Sequence, residues 1–454
     1  MNHYQTEDTI AAIATPPGEG GVAIIRISGK KAFAIANQIF SKDVTEFASH
    51  TAHYGQVLDQ NQEHVDDVLL LVMKGPRSYT GEDTIEINCH GGSLITRRVL
   101  DVILAAGARA ASPGEFTYRA YLNGKIDLAQ AEAVQELIHA KNEKALEAAE
   151  SQLQGRLSER VKKFQNDLTD VAAILEAWVD FPEEGLEFAS MEEVNRQLGS
   201  VKSEMIRLAE TFHDGKILQD GISLCLIGCP NVGKSSLMNA LLGKERAIVT
   251  HLPGTTRDVL EDQLRLNGLN FRLIDTAGIR NEAEIIEQEG IRRSRAAMQE
   301  ADLVLFVLDT SEGLRGEDRE IMEQLPSDKT ICIWNKMDLQ NGEYPSLEFP
   351  HVVSISAKEK TGLEKLHQEI DRVIWKNGPP TKEEVLITNV RHKEALGNAI
   401  SSCEAVMSGL KSEVSPEFIS MDMRQCLIEL GKVIGSDITE DVLSAIFSKF
   451  CIGK

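Results

Sequence analysis

The stretch SLCLIGCPNVGKSSLMNALLG, residues 223–243, decides the fold of the central part of this chain. An apolar run typical of a buried strand is followed by a glycine-rich turn and then by a helical pattern. Within the stretch, GCPNVGKSS at 228–236 contains G-x-x-x-x-G-K-[ST] at residues 228–235, a pattern that surrounds phosphate oxygens with backbone N–H groups and a helix N-terminus. The alternative is a chance glycine-rich turn, and the motifs that follow it argue against that alternative.

Each residue type in this loop has a physical role in holding phosphate. Gly228 and Gly233 let the backbone curl, Lys234 is expected to reach the β- and γ-phosphates, and the Ser235 hydroxyl is expected to bind Mg²⁺. The candidate nucleotide-binding residues of the loop are Asn231, Val232, Gly233, Lys234, Ser235 and Ser236.

Two later segments extend this prediction to the metal and to the γ-phosphate. TTRD at 255–258 supplies a switch threonine, and LIDTAG at 273–278 ends an apolar strand. There, Asp275 is placed to hold Mg²⁺ through water, and the Gly278 N–H is placed to sense the γ-phosphate. The candidate residues of these two regions are Thr250, His251, Leu252, Pro253, Gly254, Thr255, Thr256, Asp275, Thr276, Ala277 and Gly278.

Two further segments select the base. IWNKMD at 333–338 presents Asp338, whose carboxylate can accept both the N1–H and the N2–H of guanine, a pairing that adenine does not offer. SISAK at 354–358 is expected to support the base from a loop. The candidate residues are Asn335, Lys336, Asp338, Ser356, Ala357 and Lys358. The order of these motifs predicts a GTP-hydrolysing switch domain and not an ATPase.

The group that orients the attacking water is not evident from the motifs. The position after Asp-Thr-Ala-Gly, where many small GTPases carry a glutamine, is Ile279, which has no polar atom for that task. The stretch that follows offers four carboxylates, each more often a solvated helix charge: Glu282, Glu284, Glu287 and Glu289. The nearby arginines, for which surface charge is the ordinary role, are Arg257, Arg280 and Arg292. No arginine finger is identifiable.

Composition limits the classes of function. The 454 residues carry a net charge of −22, which argues against a broad basic surface that binds nucleic acid by neutralising phosphates. No apolar run reaches the ~18 residues needed to span a bilayer, and the N-terminus lacks the basic start and apolar core of a signal peptide. The seven cysteines are scattered, which disfavours disulfides and a zinc site. A cytoplasmic protein is therefore expected.

Hydrophobic periodicity divides the chain into four segments. Residues 1–120 alternate strand and helix patterns, 121–216 become helical with a break near Pro182, 217–378 alternate in βα fashion, and 379–454 return to helix. The predicted fold is multidomain α/β, with a nucleotide-binding domain inserted into a helical one.

Three further segments carry a family resemblance: ATPPGEGGVAIIRISG at 14–29, PGEFTYRAYLNGKIDLAQAEA at 113–133, and FCIGK at 450–454. Together with the nucleotide motifs, they resemble the MnmE (TrmE) family of tRNA-modification GTPases over essentially the whole chain. The resemblance implies an N-terminal tetrahydrofolate-binding domain that also dimerises (1–120). It further implies a helical domain in two parts (121–216 and 379–454) and an inserted Ras-like P-loop GTPase domain (217–378).

The resemblance also assigns the cations and the water-activating group. It implies that K⁺ binds beside the phosphates and takes the place of an arginine finger in neutralising transition-state charge. The implied K⁺ ligands are Asn231, Thr250, Leu252 and Thr255. Thr256 joins Ser235 at Mg²⁺, and Glu287, three residues before the GI dipeptide, becomes the catalytic glutamate.

In the N-terminal domain, the resemblance implies a 5-formyl-tetrahydrofolate-type ligand. The implied folate-binding residues are Arg26, Glu86, Lys125 and Lys454. A guanidinium suits a glutamyl carboxylate and a carboxylate suits the N–H edge of a pterin, but the sequence leaves open which residue meets which end. Ordinary ion pairing is the alternative for these residues. His90 in the HGG motif at 90–92 is a lone histidine in a turn, for which a structural role is expected.

The implied activity is potassium-dependent GTP hydrolysis that supports tRNA modification. A homodimer would form a heterotetramer with an FAD-dependent MnmG (GidA) subunit. Together they would add an aminomethyl or carboxymethylaminomethyl group at C5 of the wobble uridine, with folate as the one-carbon source, while hydrolysis switches contact between the G domains. Whether ammonium or glycine is used is left open. The rivals are a ribosome-assembly GTPase and a folate-dependent methyltransferase with a regulatory G domain.

Cys451, which is followed by Ile452, Gly453 and Lys454, has three possible interpretations. A prenylation box is disfavoured because Gly453 and Lys454 do not fit its pattern. Burial in a last helix is the usual state of a lone cysteine. The resemblance instead implies that Cys451 is a catalytic residue needed for the modification reaction.

Overall fold

A computed structural model gives the structure of the chain. It describes residues 7–180, 191–242, 263–266, 268–274, 298–339, 345–375, 378–381, 384–412, 414–436 and 438–454. The chain divides into two compact units, which are described separately. The first comprises Met1–Ile138, Ser151–Ile206 and Glu394–Lys454, and the second comprises His139–Glu150 and Arg207–Lys393.

Helices and strands alternate along much of the described chain. The helices are α1 (Ala32–Ile39), α2 (Ser93–Ala105), α3 (Glu115–Leu122), α4 (Leu128–His139), α5 (Glu143–Leu153), α6 (Arg156–Asp180), α7 (Met191–Glu210), α8 (Phe212–Asp220), α9 (Lys234–Leu242), α10 (Gly316–Met322), α11 (Leu363–Ile374), α12 (Val390–Lys411), α13 (Pro416–Ile434) and α14 (Glu440–Phe447). The strands are β1 (Ile10–Ile13), β2 (Val22–Ser28), β3 (Thr51–Leu58), β4 (His64–Met73), β5 (Thr84–His90), β6 (Arg109–Ala110), β7 (Ile222–Ile227), β8 (Gln263–Leu266), β9 (Leu269–Ile274), β10 (Leu303–Asp309), β11 (Thr330–Asn335) and β12 (Val352–Ser354).

The first unit contains a six-stranded sheet in the order β3-β4-β5-β2-β1-β6. Its pairs are antiparallel except for β1 with β6. Side chains alternate between the two faces, so Ile25 and Ile27 of β2 are fully buried in one core with α1 and α2, while Arg26 points to the opposite face. The register between β2 and β5 places Arg26 opposite Glu86 of β5.

Two long helices pack along each other in the same unit. The buried residues of α6 recur at spacings of four and three: Leu157, Val161, Phe164, Leu168, Val171 and Leu175. Helix α13 repeats this pattern with Ile419, Met423, Cys426, Leu430 and Val433. Such spacing places one apolar stripe on each helix, and the stripes pack against each other. Near the C-terminus, Phe447 and Phe450 pack against Leu128 in a second small core.

The second unit contains a six-stranded sheet in the order β12-β11-β10-β7-β9-β8, parallel except for the β8–β9 hairpin. Strands β10 and β11 are buried along their whole length, as expected for a parallel sheet covered on both faces. The carboxyl ends of parallel strands meet at one edge, so the loops after β7 and β11 converge there. The predicted fold class, with mixed α/β, helical and P-loop parts, is confirmed.

None of the helices in the described part of the chain is long and apolar enough to cross a membrane.

Candidate functional site

The loop between β7 and α9 has the backbone shape that phosphate binding requires. Three of its residues have positive φ angles: Gly228 at 148°, Asn231 at 64° and Gly233 at 99°. A Cβ on Gly228 would lie 2.3 Å from the Val307 carbonyl oxygen, and a Cβ on Gly233 would lie 2.3 Å from Asn335 Nδ2. Glycine is therefore required at both positions by conformation and by space.

Lys234 begins α9, and its ammonium group lies over the loop. Nζ donates to the carbonyl oxygens of Gly228 and Cys229, both at 2.8 Å. An ammonium group has three N–H bonds at fixed angles, so two bonds to the loop set the direction of the third. The following hydroxyl residues, Ser235 and Ser236, are exposed in the first turn of the helix. These donors and hydroxyls fit a nucleotide phosphate with a magnesium ion.

Asn335, at the end of β11, joins the phosphate loop to the loops that are predicted to contact the base. Its Nδ2 donates to the Val232 carbonyl oxygen at 2.9 Å, and its Oδ1 accepts from the Ala357 N–H at 3.0 Å. The side chain is 2% exposed, so both bonds satisfy a buried amide. The Asn335 side chain thus connects three loops that are distant in sequence, and we call it with its two bonds the Asn335 clamp.

Asp338 lies exposed in a 3₁₀ turn, Met337–Leu339, after β11. The buried Ser356 hydroxyl donates to its Oδ1 at 2.5 Å. This hydrogen bond, helped by the positive charges of Lys358 and Lys336, holds the pKa of Asp338 below its ordinary value. The carboxylate is thus oriented and ionised, as an acceptor of two guanine N–H groups must be.

Lys336 has a positive φ of 64°, and its Nζ donates to Asp309 Oδ2 at 2.6 Å. Burial alone would raise the pKa of Asp309, but the hydrogen bonds from Lys336 and Ser311 outweigh burial and hold it below its ordinary value. Asp309, which ends β10, was not predicted from the sequence. The only signal for it is an aspartate at the end of an apolar strand, the same signal that selected Asp275.

Cys229, within the phosphate loop, was also not predicted as a site residue. Its single S–H donates to Asp318 Oδ1 at 3.0 Å, and Glu317 Oε2 lies 3.5 Å from the same Sγ. Burial and the two carboxylates raise the pKa of Cys229 to about 12. The thiol therefore stays protonated and remains a donor.

Several predicted residues lie outside the described part of the chain. They are Thr250, His251, Leu252, Pro253, Gly254, Thr255, Thr256, Asp275, Thr276, Ala277, Gly278 and Glu287. The structure therefore brings together the phosphate loop and the base-contacting loops, and the predictions for the switch region stay predictions.

In the first unit, the structure pairs two of the predicted folate-binding residues with each other. Arg26 Nε donates to Glu86 Oε1 at 2.8 Å, and the guanidinium carbon lies 5.7 Å from the centre of the Tyr79 ring and 5.6 Å from that of Phe116. The aromatic rings and the carboxylate hold the guanidinium in one plane. Lys125 is exposed, and its Nζ donates to the Pro76 carbonyl oxygen at 3.0 Å.

Arg26, Glu86, Tyr79 and Phe116 form a group that we call the Arg26 cluster, and the C-terminal tail contacts it. Arg26 Nη1 donates to the Gly453 carbonyl oxygen at 3.3 Å, and the Gly114 N–H donates to that of Cys451 at 3.3 Å. Gly453 has a φ of 93°, and a Cβ there would lie 2.3 Å from the Ile13 carbonyl oxygen. Glycine thus allows the tail to lie against β1. Cys451 itself is exposed, which excludes burial in a last helix, and Lys454 is half-buried.

Buried ion pairs support the motif at residues 113–133. Arg119 is 1% exposed, and it donates to Asp8 at 2.7 Å, to Glu115 at 3.1 Å and to Glu82 at 3.2 Å. Burial would raise the pKa of Asp8, but Arg109 and Arg119 hold it below its ordinary value. Because Asp8 and Glu82 lie outside α3, their ion pairs with the buried Arg119 hold α3 beside the Arg26 cluster.

His90 is the last residue of β5 and does not lie in a turn as the sequence suggested, and its contacts agree with the structural role expected for it. Asp66 accepts from the His90 backbone N–H at 2.9 Å and lies 2.7 Å from its Nδ1. This pair fixes the turn that leads into α2.

Comparisons with known proteins cover nearly the whole chain. The family model of the TrmE N-terminus, described as a GTP-binding protein, matches residues 9–125, and that of the MnmE helical domain matches residues 128–451. The chain is 68% identical over 451 residues to the tRNA modification GTPase MnmE of Protochlamydia amoebophila (strain UWE25), covering 99% of this chain and 98% of that protein. It is 42% identical over 457 residues to the protein of the same name from Clostridioides difficile (strain 630), covering 99% of each.

Proposed function

This chain belongs to the MnmE family of tRNA modification GTPases, and we propose that GTP hydrolysis in its second unit controls chemistry at the Arg26 cluster of its first unit. Modification of the wobble uridine of tRNA is the role of this family, and its members bind GTP with Mg²⁺. The observation that carries the nucleotide assignment is the Asn335 clamp, which joins the phosphate loop to the loop of Ser356 and Ala357 in one buried arrangement.

The described residues divide the work of binding GTP. Lys234 and the backbone of residues 228–233 would hold the β- and γ-phosphates, and the Ser235 hydroxyl would join the magnesium shell with Thr256. Asp338 would accept the N1–H and N2–H of guanine, with Ser356 holding its carboxylate in place. Ala357 and Lys358 would border the base. Magnesium supplies charge neutralisation at the phosphates when bound.

We propose that K⁺ completes this site through Asn231, Thr250, Leu252 and Thr255. Asn231 supports the assignment because it is exposed and has one of the three positive φ angles of the loop, 64°. Replacing K⁺ by Na⁺ at equal ionic strength is expected to lower kcat several-fold, because the smaller ion does not match the same ligand distances. The measurement is phosphate release in KCl and in NaCl, with Asn231→Ala expected to lose the difference. Equal rates of the unmodified chain in both salts would contradict the proposal.

Glu287 is proposed to orient the attacking water, since Ile279 has no group for that task. We expect Glu287→Ala to lower kcat about 10²-fold or more, the range typical of losing a general base, while GTP affinity changes little. Single-turnover hydrolysis and equilibrium binding of a non-hydrolysable GTP analogue separate the two effects. Glu284→Ala, in the same acidic stretch, is the matched control. A large loss of affinity in Glu287→Ala would show that the residue is structural.

In the first unit, we propose that Arg26, Glu86, Lys125 and Lys454 bind a 5-formyl-tetrahydrofolate-type ligand, which supplies a one-carbon unit when bound. The ion pair between Arg26 and Glu86 supports this proposal. A planar ligand with a carboxylate at one end and N–H groups at the other could bind the two side chains in place of their bond to each other. Cys451 would take part in the reaction, because the tail contacts Arg26 through the Gly453 carbonyl while the thiol stays exposed.

The remaining parts of the proposal concern assembly. We propose a homodimer through the domain of residues 1–120, a helical domain from 121–216 and 379–454, and a GTPase domain from 217–378. With an FAD-dependent MnmG-type subunit, the dimer would form a heterotetramer that adds a carboxymethylaminomethyl or aminomethyl group at C5. Contact between G domains in the GTP state would report nucleotide status to the modification site.

The proposal is tested by mass spectrometry of tRNA nucleosides from cells that lack this chain. Unmodified wobble uridine is expected, with restoration by the unmodified gene and not by Lys234→Ala. Fully modified wobble uridine in the deletion strain would overturn the proposal. Binding of labelled folate with and without the MnmG-type subunit would distinguish this system from a methyltransferase that acts alone.

A further inference from the structure

The start of the phosphate loop is held between two elements of the second unit. On one side, Gly228 lies against β10, where the Val307 carbonyl oxygen leaves no room for a Cβ. On the other side, the Cys229 thiol is within hydrogen-bond distance of Asp318 of α10. Because β10 and α10 are successive elements of the chain, one short segment contacts the loop at two adjacent residues.

The Asp318 carboxylate has a defined place for each oxygen. Its Oδ2 accepts from the Arg315 N–H at 2.9 Å, at the start of α10, and its Oδ1 accepts from the Cys229 thiol at 3.0 Å. Asp318 is 1% exposed and Cys229 is 3% exposed. A buried carboxylate that loses a donor keeps an unsatisfied acceptor, which is costly, so this pair fixes the position of residue 229.

The carbonyl group of that same residue accepts from Lys234. Lys234 Nζ lies 2.8 Å from the Gly228 and Cys229 carbonyl oxygens, and these two bonds set the direction of the ammonium group. A shift of residue 229 therefore turns the charge that is assigned to the β- and γ-phosphates. A misplacement of about 1 Å is enough to lower the efficiency of a catalytic site.

We infer that Cys229 and Asp318 are positioning residues for the phosphate loop, which act through the Cys229 carbonyl to aim Lys234 at the β-phosphate. The inference rests on the proposed role of Lys234. Neither side chain is expected to touch the nucleotide, because the two side chains bond each other. Substitution of Cys229 or Asp318 is therefore expected to weaken the binding of ligands with a β-phosphate. The recognition of guanine by Asp338 is expected to stay unchanged.

The test compares the affinities of the full-length chain for GDP and for GMP, which share the base and the sugar but differ in the β-phosphate. Cys229→Ala is expected to lower the ratio of GDP affinity to GMP affinity by about 10-fold, as follows from losing one hydrogen bond to a buried charged group. Cys229→Ser, which keeps a donor, is expected to restore the ratio to within about 3-fold of the unmodified chain. Both affinities are measured by displacement of a fluorescent guanine nucleotide, at a temperature well below the melting temperature of each variant.

Cys332→Ala is the matched control, because Cys332 is a fully buried thiol of β11 in the same unit. It is expected to lower the melting temperature without changing the GDP-to-GMP ratio. A merely structural role for Cys229 predicts the same behaviour for Cys229→Ala, and that result would overturn the inference. If Cys229→Ala does not fold, Asp318→Ala removes the acceptor of the Cys229 thiol instead, and an unchanged GDP-to-GMP ratio in that variant overturns the inference.

Lys234→Ala separates this inference from the proposed function. A lowered ratio in Lys234→Ala with an unchanged ratio in Cys229→Ala overturns only the positioning role. An unchanged ratio in Lys234→Ala overturns the assignment of Lys234 itself. A lowered ratio in both variants, with recovery in Cys229→Ser, supports the inference.

Discussion

Asp338→Asn is expected to lower the affinity of the chain for GTP by about 10²–10³-fold. One of two hydrogen bonds to a charged acceptor is lost, which costs roughly 1.5–3 kcal/mol, and the other becomes a weaker bond to a neutral amide oxygen. The amide that replaces the carboxylate has one acceptor and one donor, so its N–H₂ group faces a guanine N–H. That contact is repulsive. Ser356, which donates to Oδ1 of Asp338 at 2.5 Å, would then select the amide orientation.

The measurement is competition of GTP, ATP and xanthosine triphosphate for the site. Xanthine carries a carbonyl oxygen where guanine carries an amino group, so it is expected to bind the Asp338→Asn variant better than it binds the unmodified chain. Ser356→Ala is the matched control, with a smaller loss of GTP affinity, since it removes the support and keeps the carboxylate. Unchanged discrimination between GTP and ATP in Asp338→Asn would refute the role of Asp338 in base selection.

Cys451→Ser is expected to reduce tRNA modification by about 10²-fold or more, because a serine hydroxyl is a far weaker nucleophile than the sulfur of a cysteine. GTP hydrolysis is expected to remain unchanged, since Cys451 and the nucleotide loops belong to different compact units. The substitution is nearly isosteric and the side chain is exposed, so the fold should tolerate it.

Modified nucleosides and phosphate release are both measured for this variant, in the presence of the MnmG-type subunit. Ile452→Ala is the matched control, since Ile452 is the next residue and is 61% exposed. It should retain modification. Loss of both tRNA modification and GTP hydrolysis in Cys451→Ser would show that Cys451 has a structural role. Full modification in this variant would show that Cys451 is not needed for the reaction.

The sequence identified the residues of the nucleotide site more readily than their contacts. Gly228, Gly233 and Lys234 follow from one local motif, because their roles depend on backbone conformation over a few residues. Asn335 is different. Its side chain bonds the backbone of Val232, 103 positions earlier, and of Ala357, 22 positions later, and these contacts exist only once β7, β11 and β12 lie side by side.

Side-chain pairs that join different strands, helices or loops are likewise not predictable from local sequence. Alternation along β2 and β5 places Arg26 and Glu86 each on one face of its strand, but only the register between the strands brings them to 2.8 Å. Asp309 and Asp318 were missed because neither has a motif of its own, and each acquires its role from a partner in another loop. The exposure of Cys451 could not be predicted from composition either, since a lone cysteine is more often buried.

The contact of Arg26 with Gly453 has a consequence for how the chain is made. The two residues are 427 positions apart, so at roughly 5–20 residues per second the ribosome produces them about 20 to 85 seconds apart. During that interval the second unit, whose residues are all synthesised between 139 and 393, can fold completely, while the first unit lacks α13, α14 and the tail. The apolar surface of α6 and the contact surface for Phe447 beside Leu128 stay open to water until α13 and α14 have been synthesised. We therefore expect nascent chains to bind guanine nucleotide before Gly453 reaches β1 of the N-terminal sheet. We also expect chaperones that recognise apolar surface to act on the first unit.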